Sequence, residues 1–164
     1  MDEQQMATVK YKDWELIVDK ELTEATYKKV AAGGADDCTC SNCKNYVAYR
    51  EQVFPDEVLE LFSELGVDYR RDVEIVSYEV LPNGNHHIGG WFHFKGRILA
   101  GDDCRLPLPS GGYSLKLKSI TGNFSIGFAE SSDLTWFKDK AGLVQIEFET
   151  IIPWVIDKSL EDSN

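Results

Sequence analysis

No run of this 164-residue chain approaches the roughly 20 consecutive apolar residues that a membrane-spanning helix requires. Its first residues, Met1-Asp2-Glu3-Gln4-Gln5, also lack the basic start and apolar stretch of a secretory signal. Both shortages lead to the expectation of a soluble, cytoplasmic protein. Positive charge is scarce as well: 17 Lys and Arg stand against 28 Asp and Glu, a formal net charge of -11. Such a surface repels phosphate backbones and anionic lipid, and no basic stripe interleaved with aromatics offsets it locally. Nucleic acid and membrane are therefore poor partners. A basic protein partner fits better, because an acidic surface would steer its approach; an acidic inhibitor or immunity-type protein would have this character.

Histidine is rarer still, limited to His86, His87 and His93, and no serine or cysteine sits in a context that ties it to one of them as a base. Gly111-Gly112 lacks the strand-loop-helix setting of a phosphate loop. Nothing in the pattern argues for a hydrolase, a kinase or a dinucleotide enzyme. Internal repeats, low-complexity tracts and a domain boundary are also missing, so residues 1–164 read as one domain with an ordered core over about 9–157 and polar ends that fray.

What the chain does have is apolar material: 43% of its residues are hydrophobic and 12% aromatic, enough at this length to build a core without metal or disulfide. Residues 10–19 alternate Trp14, Leu16 and Val18 against Glu15, Ile17 and Asp19, which predicts a strand with one buried face. Residues 22–30 fit either a short helix or more strand, and Gly33-Gly34 with Asp36-Asp37 predicts a loop. Ser41 serves as an N-cap for a helix carrying Cys43, Tyr46, Val47 and Arg50. Pro55, followed by Asp56 and Glu57, opens a second helix with a stripe of Val58, Leu61, Phe62 and Leu65, closed at Gly66.

Beyond residue 72 the pattern changes to alternation broken by turns, and three hairpins are expected. The first joins 72–81 to 88–100 through Pro82-Asn83-Gly84-Asn85. The second joins the run around Tyr113, Leu115 and Leu117 to Phe124, Ile126 and Phe128, and the third joins 134–138 to 143–152. In the last strand Val144, Ile146 and Phe148 point inward, with Gln145, Glu147 and Glu149 outward. Clean alternation signals an antiparallel sheet wetter on one face, so the fold class is α+β, a mainly antiparallel sheet with two short helices following the cysteines.

Those cysteines are the chain's densest chemistry, with Cys38, Cys40 and Cys43 lying within six residues. Cys40-x2-Cys43 has zinc-knuckle spacing, Cys38 supplies a third thiolate, and Cys104 is the economical fourth ligand, with His86, His87 or His93 as alternatives. A thiol oxidoreductase or redox sensor is the competing reading: Cys43 in the first turn of its helix, beside Lys44, would be activated toward thiolate. Asp36 and Asp37 oppose that activation, and the strand that precedes a thioredoxin-like motif is missing. Ordinary packing of reduced cysteines is the third reading. Separately, the strand Gly89-Gly90-Trp91-Phe92-His93-Phe94 puts Trp91, His93, Lys95 and Arg97 on its wetter side, a candidate binding surface.

Cys38-x-Cys40-x2-Cys43-x-Asn45-Tyr46, Phe54-Pro55, Gly89-Gly90-Trp91-Phe92-His93-Phe94 and Pro153-Trp154 together resemble a family of uncharacterised bacterial proteins over about residues 38–156. The resemblance implies a single domain in a bacterial cytoplasm and transfers no catalytic residue. Taken together, the residues describe a binding or interaction domain, with zinc at the cysteine cluster as its one candidate cofactor.

Overall fold

The longest strand organises the molecule. In the computed structural model, which describes residues 6–161, β1 (Met6–Tyr11), β2 (Trp14–Asp19), β3 (Glu74–Val80) and β4 (His86–Ala100) precede β5 (Arg105–Pro107) and β6 (Tyr113–Leu115). β7 (Lys118–Ser119), β8 (Ser125–Ala129) and β9 (Leu143–Ile152) follow. Four helices, α1 (Lys20–Lys28), α2 (Gly34–Asp37), α3 (Ser41–Tyr49) and α4 (Asp56–Leu65), fall before β3. Among the described residues the main sheet has seven strands in the order β1-β2-β4-β9-β8-β7, with β3 also on β4; every pairing is antiparallel, and β5 and β6 form a separate ribbon. The expected α+β class is the class observed.

Along one edge β4 pairs with β9 from His86 to Lys95. Its other edge is shared: β3 covers His86 to Trp91 and β2 covers Gly96 to Ala100. Between them lies a stretch where β4 has no strand beside it. Helix α1 fills that gap with side chains. The Tyr27 hydroxyl donates to the carbonyl of His93 (3.0 Å) and accepts from its N–H (3.1 Å), and Thr23 Oγ1 accepts from the Lys95 N–H (3.1 Å). Both side chains are buried, so these bonds replace ladder bonds that water cannot supply. Residues 22–30 are thus mostly helix, because Asp19 caps α1 through Leu22 N (3.0 Å) and Tyr27 and Thr23 share the inward face.

The face of the sheet carrying Leu16, Val18, Phe92, Phe94, Ile126, Phe128, Val144, Ile146 and Phe148 is fully buried. α4 contributes Val58, Leu61, Phe62 and Leu65 to this core, and α3 contributes Tyr46. Phe54, just before α4, sits at the hub: its ring lies 5.2 to 5.9 Å from those of Phe62, Phe92, Phe124 and Phe148, mostly edge-on, the geometry aromatic quadrupoles favour. Pro55 is the N-cap of α4 rather than its first helical residue, and Gly66 closes the helix in the left-handed region (φ 83°) that glycine adopts without cost.

Several local expectations change. Residues 10–19 are not one strand: Lys12-Asp13 forms a tight turn, with Lys12 at φ 53°, between β1 and β2, so the alternation inside β2 is right but its first residues belong to β1. β1 begins at Met6, ahead of the expected boundary near residue 9, and a 3-10 turn spans Lys158–Leu160; the outer ends, 1–5 and 162–164, lie outside the described residues. β6 pairs with β5 instead of β8, whose hairpin partner is the short β7. Residues 134–138 form no strand. They are a strap held by the Trp136 indole N–H on the Arg71 carbonyl (3.0 Å) and by buried Phe137 against Tyr27. Gln145 and Glu147 do alternate with the core residues of β9, but they are buried as well, with Asp133 against Gln145 and Arg105 of β5 against Glu147.

Tyr27→Phe removes the partner of two buried backbone groups at once. It should lower unfolding free energy by about 2 to 4 kcal/mol in urea titration, well beyond the loss of a single exposed hydroxyl. A change of only about a few tenths of a kcal/mol would show that β4 does not depend on the α1 clasp.

Candidate functional site

The cysteine loop hangs from one buried carboxylate. Asp72 has no solvent exposure, its Oδ2 accepts the Ala35 N–H (3.0 Å), and its own carbonyl accepts the Gly34 N–H (2.8 Å). Asp36 caps the same turn through the Gly33 N–H (2.9 Å) and pairs with Arg50 Nη1 (3.0 Å), which lies 3.9 Å from Asp72 Oδ1. Thus α2, expected as plain loop, is a single helical turn locked between β3 and α3, and Cys38 follows immediately at its end.

Cys40 is the N-cap of α3, one residue before the expected Ser41: its Sγ accepts the Cys43 N–H at 3.4 Å. The same bond draws the cluster together. The sulfurs of Cys38 and Cys40 are 3.3 Å apart, and those of Cys38, Cys40 and Cys43 all lie within 4.8 Å of one another. All are free thiols. Tetrahedral zinc with Zn–S bonds of about 2.3 Å sets sulfurs about 3.8 Å apart, so small rotations of these side chains suffice to hold one ion. Cys38 and Cys40 reach solvent, whereas Cys43 is buried.

Thiol acidity does not follow the expectation from helix position. Burial pushes the Cys43 thiol well above its usual range, and the neighbouring Cys38 and Cys40 raise it further. The lowered thiol is Cys38, stabilised as thiolate by the Cys40 backbone N–H and by the Cys40 and Cys43 thiols, against the nearby charge of Glu74. Desolvation outweighs the helix-end contribution at Cys43, which is typically under about 1 kcal/mol at an exposed site.

Cys104 and the histidines do not join the group. Cys104 is buried under β8, where its N–H donates to the Phe128 carbonyl (2.8 Å) and its side chain fills the space over Gly127. Burial raises its thiol to about 12. His86 meets Glu161 (Nε2–Oε1 3.0 Å) and lies against the Trp154 ring, and His87 meets Glu149 (3.0 Å). His93 Nε2–H donates to Gln145 Oε1 (2.9 Å), because that oxygen, which also accepts the Asp133 N–H, can only accept. Its bare Nδ1 has no partner, and burial holds its pKa near 4.

The strand surface expected from Trp91, His93, Lys95 and Arg97 is not continuous. His93 and Lys95 are buried, the latter with its ammonium on Asp139 (3.2 Å) and the Ala141 carbonyl, while Arg97 is exposed and Trp91 half-buried. The motif residues are likewise structural. Asn45 donates to the Pro153 carbonyl (3.0 Å) and accepts the Val155 N–H (2.7 Å), clamping the end of β9 to α3.

Comparison with protein-family models, with characterised proteins and with solved structures finds no match to this chain. The resemblance to a bacterial family therefore rests on its motif residues alone.

Sequence reasoning missed the role of Asp72, which sits in a charged stretch that resembles solvated surface, and it placed Arg50 on the helix after the cysteines without its partners Asp36 and Asp72. Burial raises the Asp72 carboxyl to about 6, so between pH 4 and 6 the folded chain holds a proton that the unfolded chain releases. Keeping Asp72 ionised at neutral pH costs up to about 3 kcal/mol, a penalty relieved as the pH falls from 7 toward 4. His93 acts in the opposite sense: its stabilisation is present above about 6.5 and is lost as the pH falls toward 4. Asp72→Asn removes only the first effect, so stability of the variant should fall more steeply from pH 7 to pH 4.5 than that of the parent. Parallel urea-midpoint profiles would refute the buried ionisation.

Proposed function

We propose that this chain is an interaction domain braced by zinc, with Cys38, Cys40 and Cys43 as the protein ligands. The observation that carries the reading is the convergence of three free thiols within 4.8 Å on a turn held from beneath by Asp72 and Arg50. An ion there would tie the end of α2 to the start of α3 and neutralise thiolates that otherwise repel one another. Soft thiolates select zinc over hard cations such as magnesium or calcium. Two of the three thiols reach solvent, so water or a donor from another molecule completes the coordination. An interaction role accords with the histidines, each of which is held by a carboxylate or amide partner.

Protein purified without chelator should carry about one equivalent of zinc by elemental analysis. Cys40→Ser should lose most of it, and Cys104→Ser should retain it. Metal far below one equivalent, or content unaffected by Cys40→Ser, removes the reading.

One observation favours a second reading, a redox-responsive thiol pair: the lowered Cys38 thiol lies 3.3 Å from Cys40. Metal-free protein should then alkylate at Cys38 at least tenfold faster than at buried Cys43 near neutral pH. Equal, slow modification of both excludes it.

A further inference from the structure

A second site lies on the polar face of the sheet, where β4 and β9 pair. There a cavity of about 350 Å³ is lined by Tyr78, Trp91, Tyr113, Leu115, Glu147 and Glu149. The geometry points to a binding site for an organic cation with an alkylated ammonium head, held by the rings of Tyr78, Trp91 and Tyr113 over the carboxylates of Glu147 and Glu149.

Each wall is fixed before any ligand arrives. Trp91 and Glu147 are direct cross-strand partners on β4 and β9, and Gly89 faces Glu149 in the next row. Gly89 is needed there: a Cβ on it would come 2.9 Å from the Tyr78 ring, so only glycine lets that ring lie over the strand. The Trp91 indole N–H donates to the Asp133 carbonyl (2.9 Å), which sets the plane of its ring. Tyr78 lies against the His87 ring at 4.8 Å, and Tyr113 carries the Arg105 guanidinium at 4.1 Å. Tyr78 and Tyr113 are also 46% and 44% exposed, large rings left partly open to water at the mouth of one cavity.

The charges agree with the rings. Glu147 is only 4% exposed, and burial raises its carboxyl. Gln145 Nε2 at 2.6 Å and Arg105 Nη2 at 3.6 Å both engage its Oε1, on a residue that lines the cavity. Glu149 meets His87 Nε2 at 3.0 Å, and His87 lies 3.9 Å from Glu79. Arg105 is already paired with Asp133, so Glu147, Glu149, Glu79 and Asp133 face one guanidinium and one imidazole. A small metal ion would gain little from three aromatic walls and Leu115. An alkylated ammonium gains attraction from the ring faces and burial of its methyl groups, and it demands little hydration in return.

Choline is a suitable probe, and 3,3-dimethylbutan-1-ol is its uncharged counterpart of the same shape. Titrated into the full chain, choline should shift the Trp91 indole N–H resonance, identified by its loss in Trp91→Phe. It should bind at least about tenfold more tightly than the alcohol. Tyr78→Leu and Tyr113→Leu, changes at half-exposed positions that keep apolar bulk, should each weaken choline by about threefold or more, and Glu149→Gln by a similar factor. Equal affinity for the alcohol, displacement of choline by potassium at comparable concentration, or binding indifferent to both tyrosine variants would overturn the proposal. The alcohol comparison uses the unaltered protein and holds even if a variant fails to fold.

Discussion

Hydrogen-bond continuity along β4 is the constraint on which the rest of the structure depends. A buried strand cannot leave N–H and C=O groups unpaired, yet β4 passes from β3 to β2 on one edge with a gap between them. Tyr27 and Thr23 close the gap, which fixes α1 against the sheet and draws the strap at Trp136 and Phe137 over Tyr27. Since β4 also carries Trp91 and His93 on one face and Phe92 and Phe94 on the other, its position determines both the aromatic core and the polar face.

The two faces solve different problems. The core face is apolar and needs only packing, which Phe54 supplies at its centre. The other buries His93, Gln145 and Glu147 beneath Arg105 and Asp133, and such groups are tolerated because a chain of directed hydrogen bonds satisfies most of them. That chain ends at Glu147, at the edge of the aromatic cavity, so the polar interior and the cation site are parts of one network. The cysteine loop follows the same logic elsewhere, with a buried Asp72 accepting two backbone N–H groups of the α2 turn that leads into it.

Legibility followed the range of the interactions. α3, α4 and the β3–β4 hairpin were readable because caps, a proline, the Gly66 terminus and the Pro82–Asn85 turn act within a few residues. The β1–β2 turn was missed because Lys12-Asp13 carries no glycine, and Lys12 takes a positive φ that its residue type does not signal. Residues 134–138 read as a strand because this short apolar and aromatic run precedes the Gly142 turn, whereas Trp136 and Phe137 are separate anchors reaching Arg71 and Tyr27. At the candidate site, spacing identified Cys38, Cys40 and Cys43, but it also enlisted Cys104, whose place is under β8.

The sequence by itself determined the α+β class, the two helices after the cysteines, the inward set of β9 and the closeness of three thiols within six residues, since each follows from local geometry or strict periodicity. Tertiary structure alone decided which strand β6 joins, that Gln145 and Glu147 of β9 are buried, that Asp72 holds the cysteine loop, and that Tyr78, Trp91 and Tyr113 surround Glu147 and Glu149. Those outcomes depend on contacts between residues tens of positions apart, where long-range pairing and desolvation set the result and no local pattern records them.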